Sequence, residues 1–331
     1  MLVHNLGGKV APAGRILAFD DARVYGFGRK PQYYRWTTPL EYMLYASAKQ
    51  PPVEPQLART AWTVVAHSHF DLGNYAEAET AYYSLRGVTP VDDAEAANEV
   101  KERIASSIYK QGEQARDAGD LETAVAHFTR LGNAVPDSSI RVTAEYDAAA
   151  ALISMAAWDR AAILLERYRR NYPDSEFADD ISQKLAVTYM ETGRGAQAAA
   201  EFERIAVAES SSDDVRREAL WKAAELYETG GVIASEKRVL ESIVERYPDP
   251  LSESIEARYR LLEIAESQGD SAEVTARLRD IIDVDARAGA QRSDRTRYLA
   301  AKASVRLAEP VRKRFEVVQL TQPLAESMKL K

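Results

Sequence analysis

The residues of this 331-residue chain that could do chemistry are few, and their spacing argues against catalysis. Its histidines are His4, His67, His69 and His127, and cysteine is absent. Without cysteine there is no disulfide, no thiolate metal site and no cysteine nucleophile. His67 and His69 form an H-x-H pair in a segment with helical patterning. Two residues apart on a helix they face different directions, and no third ligand is evident nearby, so no metal is expected. Gly26-Phe27-Gly28-Arg29-Lys30 invites a phosphate-loop reading, but it lacks the strand–GxxxxGK[ST]–helix context and reads better as a turn. No G-x-S-x-G elbow, H-E-x-x-H helix or Walker loop is present. Carboxylates are numerous, yet on helices they are normally solvated or paired one turn away, as the spacing of Glu166 and Arg170 allows. The expectation is a protein that is not an enzyme and holds no cofactor.

One run of charge stands apart. Arg287, Arg292, Arg295, Arg297, Lys302, Arg306, Arg312, Lys313 and Arg314 face only Asp294 and Glu309 over the same stretch. Such a run can meet an anionic partner, a lipid headgroup or an acidic protein, or it can be the solvated face of an irregular helical hairpin. The net charge of −8 disfavours a nucleic-acid binder, which needs a basic face to track phosphates. No window approaches eighteen consecutive apolar residues, so no transmembrane helix is expected. Met1 to Val10 holds one lysine and no apolar core, so no secretory signal is readable.

The elements that must position these groups repeat. Val135-Pro136-Asp137-Ser138, Tyr172-Pro173-Asp174-Ser175 and Tyr247-Pro248-Asp249-Pro250 place their first prolines 37 and then 75 residues apart, one period and then two. Gly119, Gly193 and Gly231 keep the same beat at 74 and 38. Each period reads as two amphipathic helices, with a glycine turn after the first and a proline after the second. In the first unit Trp62, Ala66, Gly73, Tyr75, Ala78, Tyr82 and Pro90 mark the pattern. Small residues allow the two backbones to approach where the helices cross, glycine permits the positive φ that ends the first helix, and proline stops the second. Gly112, Gly119, Leu121, Ala124, Phe128 and Pro136 occupy the same places in the second unit. Ala149, Trp158, Ala161, Leu165 and Pro173 follow in the third, and Leu185, Ala186, Tyr189, Gly193, Ala198 and Phe202 in the fourth. The fifth has Ala224, Tyr227, Gly231, Leu240 and Pro248, but Glu236 replaces a small residue, which predicts a splayed hairpin. In the sixth Gly269-Asp270 marks the turn, and Leu262 replaces the small crossing residue. The Pro-Asp-Ser signatures are expected to cap the following helices.

These residues resemble the tetratricopeptide repeat, over roughly 57–285. The period of 37–38 is similar to the repeats of Gram-negative envelope proteins, such as the Tol–Pal accessory protein and the outer-membrane-assembly lipoproteins. The resemblance implies an all-α, right-handed superhelical solenoid of helical hairpins and a periplasmic or cell-envelope location. In the resembled family the fifth residue of each repeat points into a concave groove lined by the first helices. Those positions are Tyr109, Tyr146, Gln183, Trp221 and Tyr259, four of five aromatic, at intervals of 37, 37, 38 and 38. Rigid amphipathic rings suit a binding surface, and they suit packing between adjacent first helices equally well. Neighbouring groove candidates are Glu113, Arg116, Asp180, Met190, Glu191, Glu218 and Glu225. They lean acidic, which favours a peptide with basic and apolar residues.

Four regions are expected. Residues 1–50 form a short aromatic-rich segment with two strand-like stretches, Arg15 to Phe19 and Arg23 to Gly28, that resembles a piece of a β-propeller blade. Residues 51–56 form a proline-rich linker, 57–285 about six repeats, and 286–331 an irregular, basic seventh hairpin. The helical pattern still runs at Lys331 without a polar capping helix, so a fragment of a longer array is expected. The leading functional expectation is a non-catalytic scaffold binding a protein partner's peptide or helix in its groove. The alternative is a structural segment of a cell-envelope complex or lipoprotein. A third reading, an activity housed in residues 1–50 joined to further sequence, rests only on their strand-like aromatic character.

Overall fold

A computed structural model describes residues 54–318 and 328–329 of the chain. The strand-like stretches expected in residues 1–50 therefore lie outside the described residues. Among the described residues there are thirteen α-helices, a single 3-10 turn at Gly289–Gln291, and no strand. The architecture is all-α and of solenoid type. It divides into two compact units at Tyr172.

The first unit holds α1 (Pro55–Asp71), α2 (Tyr75–Val88), α3 (Ala94–Asp117), α4 (Leu121–Ala134), α5 (Arg141–Ser154) and α6 (Trp158–Asn171). The second holds α7 (Ala178–Glu191), α8 (Gly195–Val207), α9 (Asp213–Thr229), α10 (Ile233–Arg246), α11 (Leu251–Gln268), α12 (Ser271–Arg287) and α13 (Asp294–Val317). Odd-numbered helices are the first of each hairpin and even-numbered ones the second. Pro55 and Gln56, read from sequence as linker, begin α1, where proline's missing N–H leaves no intrahelical bond unmade.

Hairpins close as the small residues require. Ala66 and Ala78 are fully buried between α1 and α2. At the same position of α3, Gly112 leaves room for the ring of Phe128, and a Cβ there would lie 2.5 Å from its Cε1. The first helices end in a left-handed residue whose successor's N–H reaches back to close the turn. Gly119 takes φ 81°, and Asp120 N–H donates to the Ala115 carbonyl at 2.9 Å. The third hairpin has no glycine, and Ala156 adopts φ 53° instead, with Ala157 N–H donating to the Leu152 carbonyl at 2.9 Å. Its Cβ is strained in that conformation.

Two local expectations need correction. Ser138 and Ser175 do not cap α5 and α7, which begin after Ile140 and Phe177 without a side-chain cap. Each serine instead holds a turn one step earlier, its Oγ accepting from the N–H two residues on at 3.2 Å. Glu236 does not splay the fifth hairpin. Its buried carboxylate accepts from Arg260 Nη2 at 2.8 Å, and Ala224, Tyr227, Val239 and Leu240 share one core beside it. The charge is tolerated there because its partner is held close in the same interior.

In the second unit the last core cluster joins Ile255, Tyr259 and Leu262 of α11 to Leu278 and Ile281 of α12 and to Leu299, Ala300 and Ala303 of α13. Leu262, too large for a crossing position in the repeat pattern, is fully buried here.

Candidate partner-binding surface

The series at repeat spacing falls on α3, α5, α7, α9 and α11, all first helices, yet its members have different surroundings. In the first unit Tyr109 is half-buried on α3, its ring 5.4 Å from that of Phe128. Its hydroxyl donates to Asp147 Oδ2 of α5 at 2.6 Å. Burial, and then the carboxylate it serves, push the phenol far above its usual titration range. Glu113 is taken up by Lys110 at 2.5 Å and Arg116 at 3.6 Å, while Arg116 also reaches Asp147 at 3.9 Å. Tyr146 is half-buried on α5 and is itself partnered. Three of the sequence-selected residues, Tyr109, Glu113 and Arg116, thus meet in one network, joined by Asp147.

In the second unit Gln183, Met190 and Glu191 are exposed on α7, and Asp180 pairs with Lys184 at 3.2 Å. Glu225 on α9 pairs with Lys222 at 3.1 Å. Trp221 is half-buried, and its indole N–H donates to Glu253 Oε2 of α11 at 3.2 Å. The Arg260 guanidinium lies 6.0 Å from the centre of its ring. Tyr259 is buried in the last core cluster, so it offers no free surface. Lys302 and Arg306 of α13 lie 4.9 and 5.6 Å from its ring.

Beside Trp221 opens a cavity of about 580 Å³. Helix α9 contributes Asp214, Arg217, Glu218 and Trp221, α11 contributes Ser252, Glu253 and Glu256, and Arg295 of α13 completes the wall. Arg217 pairs with Asp214 at 2.9 Å and with Glu253 at 3.2 Å. Arg295 grips Glu256 through two hydrogen bonds of 2.9 and 3.1 Å. Glu218 is exposed and has no hydrogen bond or ion pair among the described residues. Sequence reasoning found Trp221 and Glu218, named Arg295 only as part of the basic run, and missed Glu253, Glu256 and Arg217. The available signal was spacing, since Glu253 stands 32 residues from Trp221 and Arg295 stands 39 from Glu256.

The basic run is largely neutralised at home. Arg292 pairs with the buried Asp285, Arg297 with Asp294, Arg306 with Glu266, and Arg312 and Lys313 with Glu309. Arg287 donates to the Asp283 carbonyl, and Lys302 lies over Tyr259. Among the described residues no group of three or more His, Asp or Glu is placed to hold a metal ion. No helix among them is long and apolar enough to cross a membrane.

A family model described as outer membrane lipoprotein (YfiO) matches residues 101–265, from within α3 to within α11. No curated protein matches the chain. Among solved structures, the nearly identical TPR-like repeats of a Podosopora anserina putative kinesin light chain are similar at 17% identity and a TM-score of 0.32. That likeness covers 58% of this chain and 98% of the other. A tetratricopeptide repeat protein from Parabacteroides merdae is similar at 13% identity and a TM-score of 0.31, covering 82% of this chain and 98% of its own. Residues 101–265 are therefore similar to the outer membrane lipoprotein family, and the described residues around them form an all-α array of helical hairpins.

Proposed function

We propose that this chain is a non-catalytic protein-interaction scaffold that holds an extended peptide or a helix of its partner against its first helices, chiefly on α9 and α11 of the second unit. The observation that carries this reading is the cavity beside Trp221. A half-buried indole there borders about 580 Å³ of open space, next to a carboxylate with no partner. Partly exposed tryptophans in polar-rimmed hollows are what interfaces use as anchors. The first unit supports a lesser role, because Tyr109 and its acidic neighbours already satisfy one another.

The test places a photo-crosslinking amino acid at position 218 in cells of the source organism and identifies the attached protein by mass spectrometry. Alongside, capture by the unmodified chain is compared with a Tyr146→Ala/Trp221→Ala variant. Attachment at position 218, with capture lost in a variant of equal helicity by circular dichroism, is the expected result. Equal capture by both chains would move the surface elsewhere, and loss of helicity would make the rings structural.

The family description of residues 101–265 favours a second reading, a segment of a cell-envelope assembly. Fractionation of the native product decides it. Recovery with envelope membranes or periplasm is expected, and a purely cytoplasmic product would end it.

A further inference from the structure

Four carboxylates and two guanidiniums border the cavity beside Trp221, and their pairing leaves a specific vacancy in charge. Arg217 is divided between Asp214 and Glu253, and Arg295 is bound to Glu256 at both ends of its fork. Glu253 also accepts the Trp221 indole N–H. Both cations are therefore spent, while Glu218, one helical turn before Trp221 on α9, keeps an unpaired carboxylate at the rim.

An anionic ligand would have to break an existing ion pair and would still meet the surplus negative charge. A cation needs only to replace the water around Glu218. The indole adds a second attraction, because its π-face favours a cation, as the position of Arg260 6.0 Å from the ring centre already shows. Arginine suits this pair better than lysine: its planar guanidinium can stack on the indole and still present a two-pronged edge to the carboxylate.

Resting on the scaffold reading above, we infer that the second unit selects a partner segment that seats an arginine side chain between Trp221 and Glu218. The cavity is larger than one side chain, so the residues flanking that arginine lie against α11, within reach of Ser252.

The probe is an acetylated, amidated nonapeptide, Leu-Ser-Leu-Ser-Arg-Ser-Leu-Ser-Leu, titrated into the full chain while the Trp221 indole N–H resonance is followed by NMR. The resonance is assigned by its disappearance in Trp221→Phe. Matched peptides carry citrulline, lysine or glutamate in place of arginine. The arginine peptide is expected to shift the resonance, with citrulline binding about tenfold more weakly because it keeps the shape but loses the charge. Glu218→Gln is expected to weaken the arginine peptide by about the same factor while leaving the melting temperature unchanged, since the residue is exposed. Equal binding of the citrulline peptide, or an unaltered affinity in Glu218→Gln, overturns the inference, as does tighter binding of the glutamate peptide. So does a resonance that none of the peptides moves. The scaffold reading is judged separately. A protein crosslinked at position 218 whose contact segment has no arginine sinks this inference and leaves the scaffold standing.

Discussion

The two units carry the same repeat, and Tyr109 of the first and Trp221 of the second spend its aromatic position in opposite ways. In the first, Tyr109 hands its hydroxyl to Asp147 of the next first helix, and Glu113 and Arg116 close around that contact. In the second, Trp221 makes a comparable bond to Glu253, but its larger ring stays beside an open cavity with Glu218 unpaired. The same spacing therefore yields a joint between repeats in one place and a candidate contact surface in the other. What differs is the neighbour one repeat further on: a single aspartate within reach of a phenol satisfies it, whereas an indole has one donor and a broad face left over.

The contrast can be broken or sharpened by substitution, beginning with the largest effect. Phe128→Ala removes the fully buried ring behind Tyr109 and should cost about 3–5 kcal/mol. Hydrogen exchange should show the loss in α3 to α5, with the helices of the second unit protected as before. An effect spread evenly over both units would show that they are not separately cooperative. Gly112→Ala would thrust a Cβ to within 2.5 Å of the same ring. Despite the gain in helix propensity, urea denaturation should register a net loss of about 1–3 kcal/mol.

Tyr109→Phe deletes the 2.6 Å bond to a carboxylate and should cost about 1–2 kcal/mol. Trp221→Phe should cost less in stability, because Glu253 keeps Arg217 as a partner. If melting temperatures showed the tryptophan to be the dearer loss, the second unit would be the structural joint and the comparison would invert. Ala156→Gly relieves the left-handed Cβ strain at the one turn without glycine, and should stabilise the first unit by about 1 kcal/mol or less.

The smallest effect is a pH dependence confined to the first unit. His127 Nδ1 accepts from Arg130 Nε at 3.1 Å, and Arg130 in turn grips Glu79 of α2 through two bonds of 2.8 Å. Burial, and then the Arg130 charge, hold the His127 imidazole below its usual range, with Glu79 pulling weakly the other way. The folded form thus prefers neutral imidazole. As pH falls below about 6.5 the unfolded chain takes up the proton first, so stability falls with it. Glu79 is itself held below its usual range by hydrogen bonds from Arg130 and Gln111 against the opposing effect of burial. Its contribution is present above the ordinary carboxylate range and is lost only at lower pH, as Glu79 protonates. The window between about pH 6.5 and 5 therefore belongs to the histidine. In His127→Gln, which keeps an acceptor for Arg130, thermal melts should lose this slope. An unchanged slope would assign it to another group.

Most of the fold was legible because helical repeats are held by local rules. Gly119 and its counterparts end first helices, prolines follow second helices, and alanines mark the crossings, each for a reason contained within a few residues. Reading failed where a partner from another helix changed the meaning of a residue. Glu236 looked like a defect until Arg260 was placed beside it. Ala156 gave no turn signal because hairpin packing, not side-chain preference, forces its φ. Ser138 looked like a helix cap, but its hydroxyl lies close to Glu102 of α3, 36 residues away, at 2.8 Å.

The candidate surface was legible in its positions and not in its states. By itself the sequence determined the hairpin period, the all-α class and the appearance of Tyr109, Trp221 and Tyr259 at one repeat position on first helices, because helix periodicity and turn chemistry act over short distances along the chain. Only the tertiary structure decided that Tyr259 is buried under α13, that Tyr109 is closed by Asp147, and that Trp221 borders a cavity with Glu218 free. Exposure and pairing depend on what stands one repeat away, and the identity and distance of that neighbour are set by packing, which a one-dimensional spacing does not record.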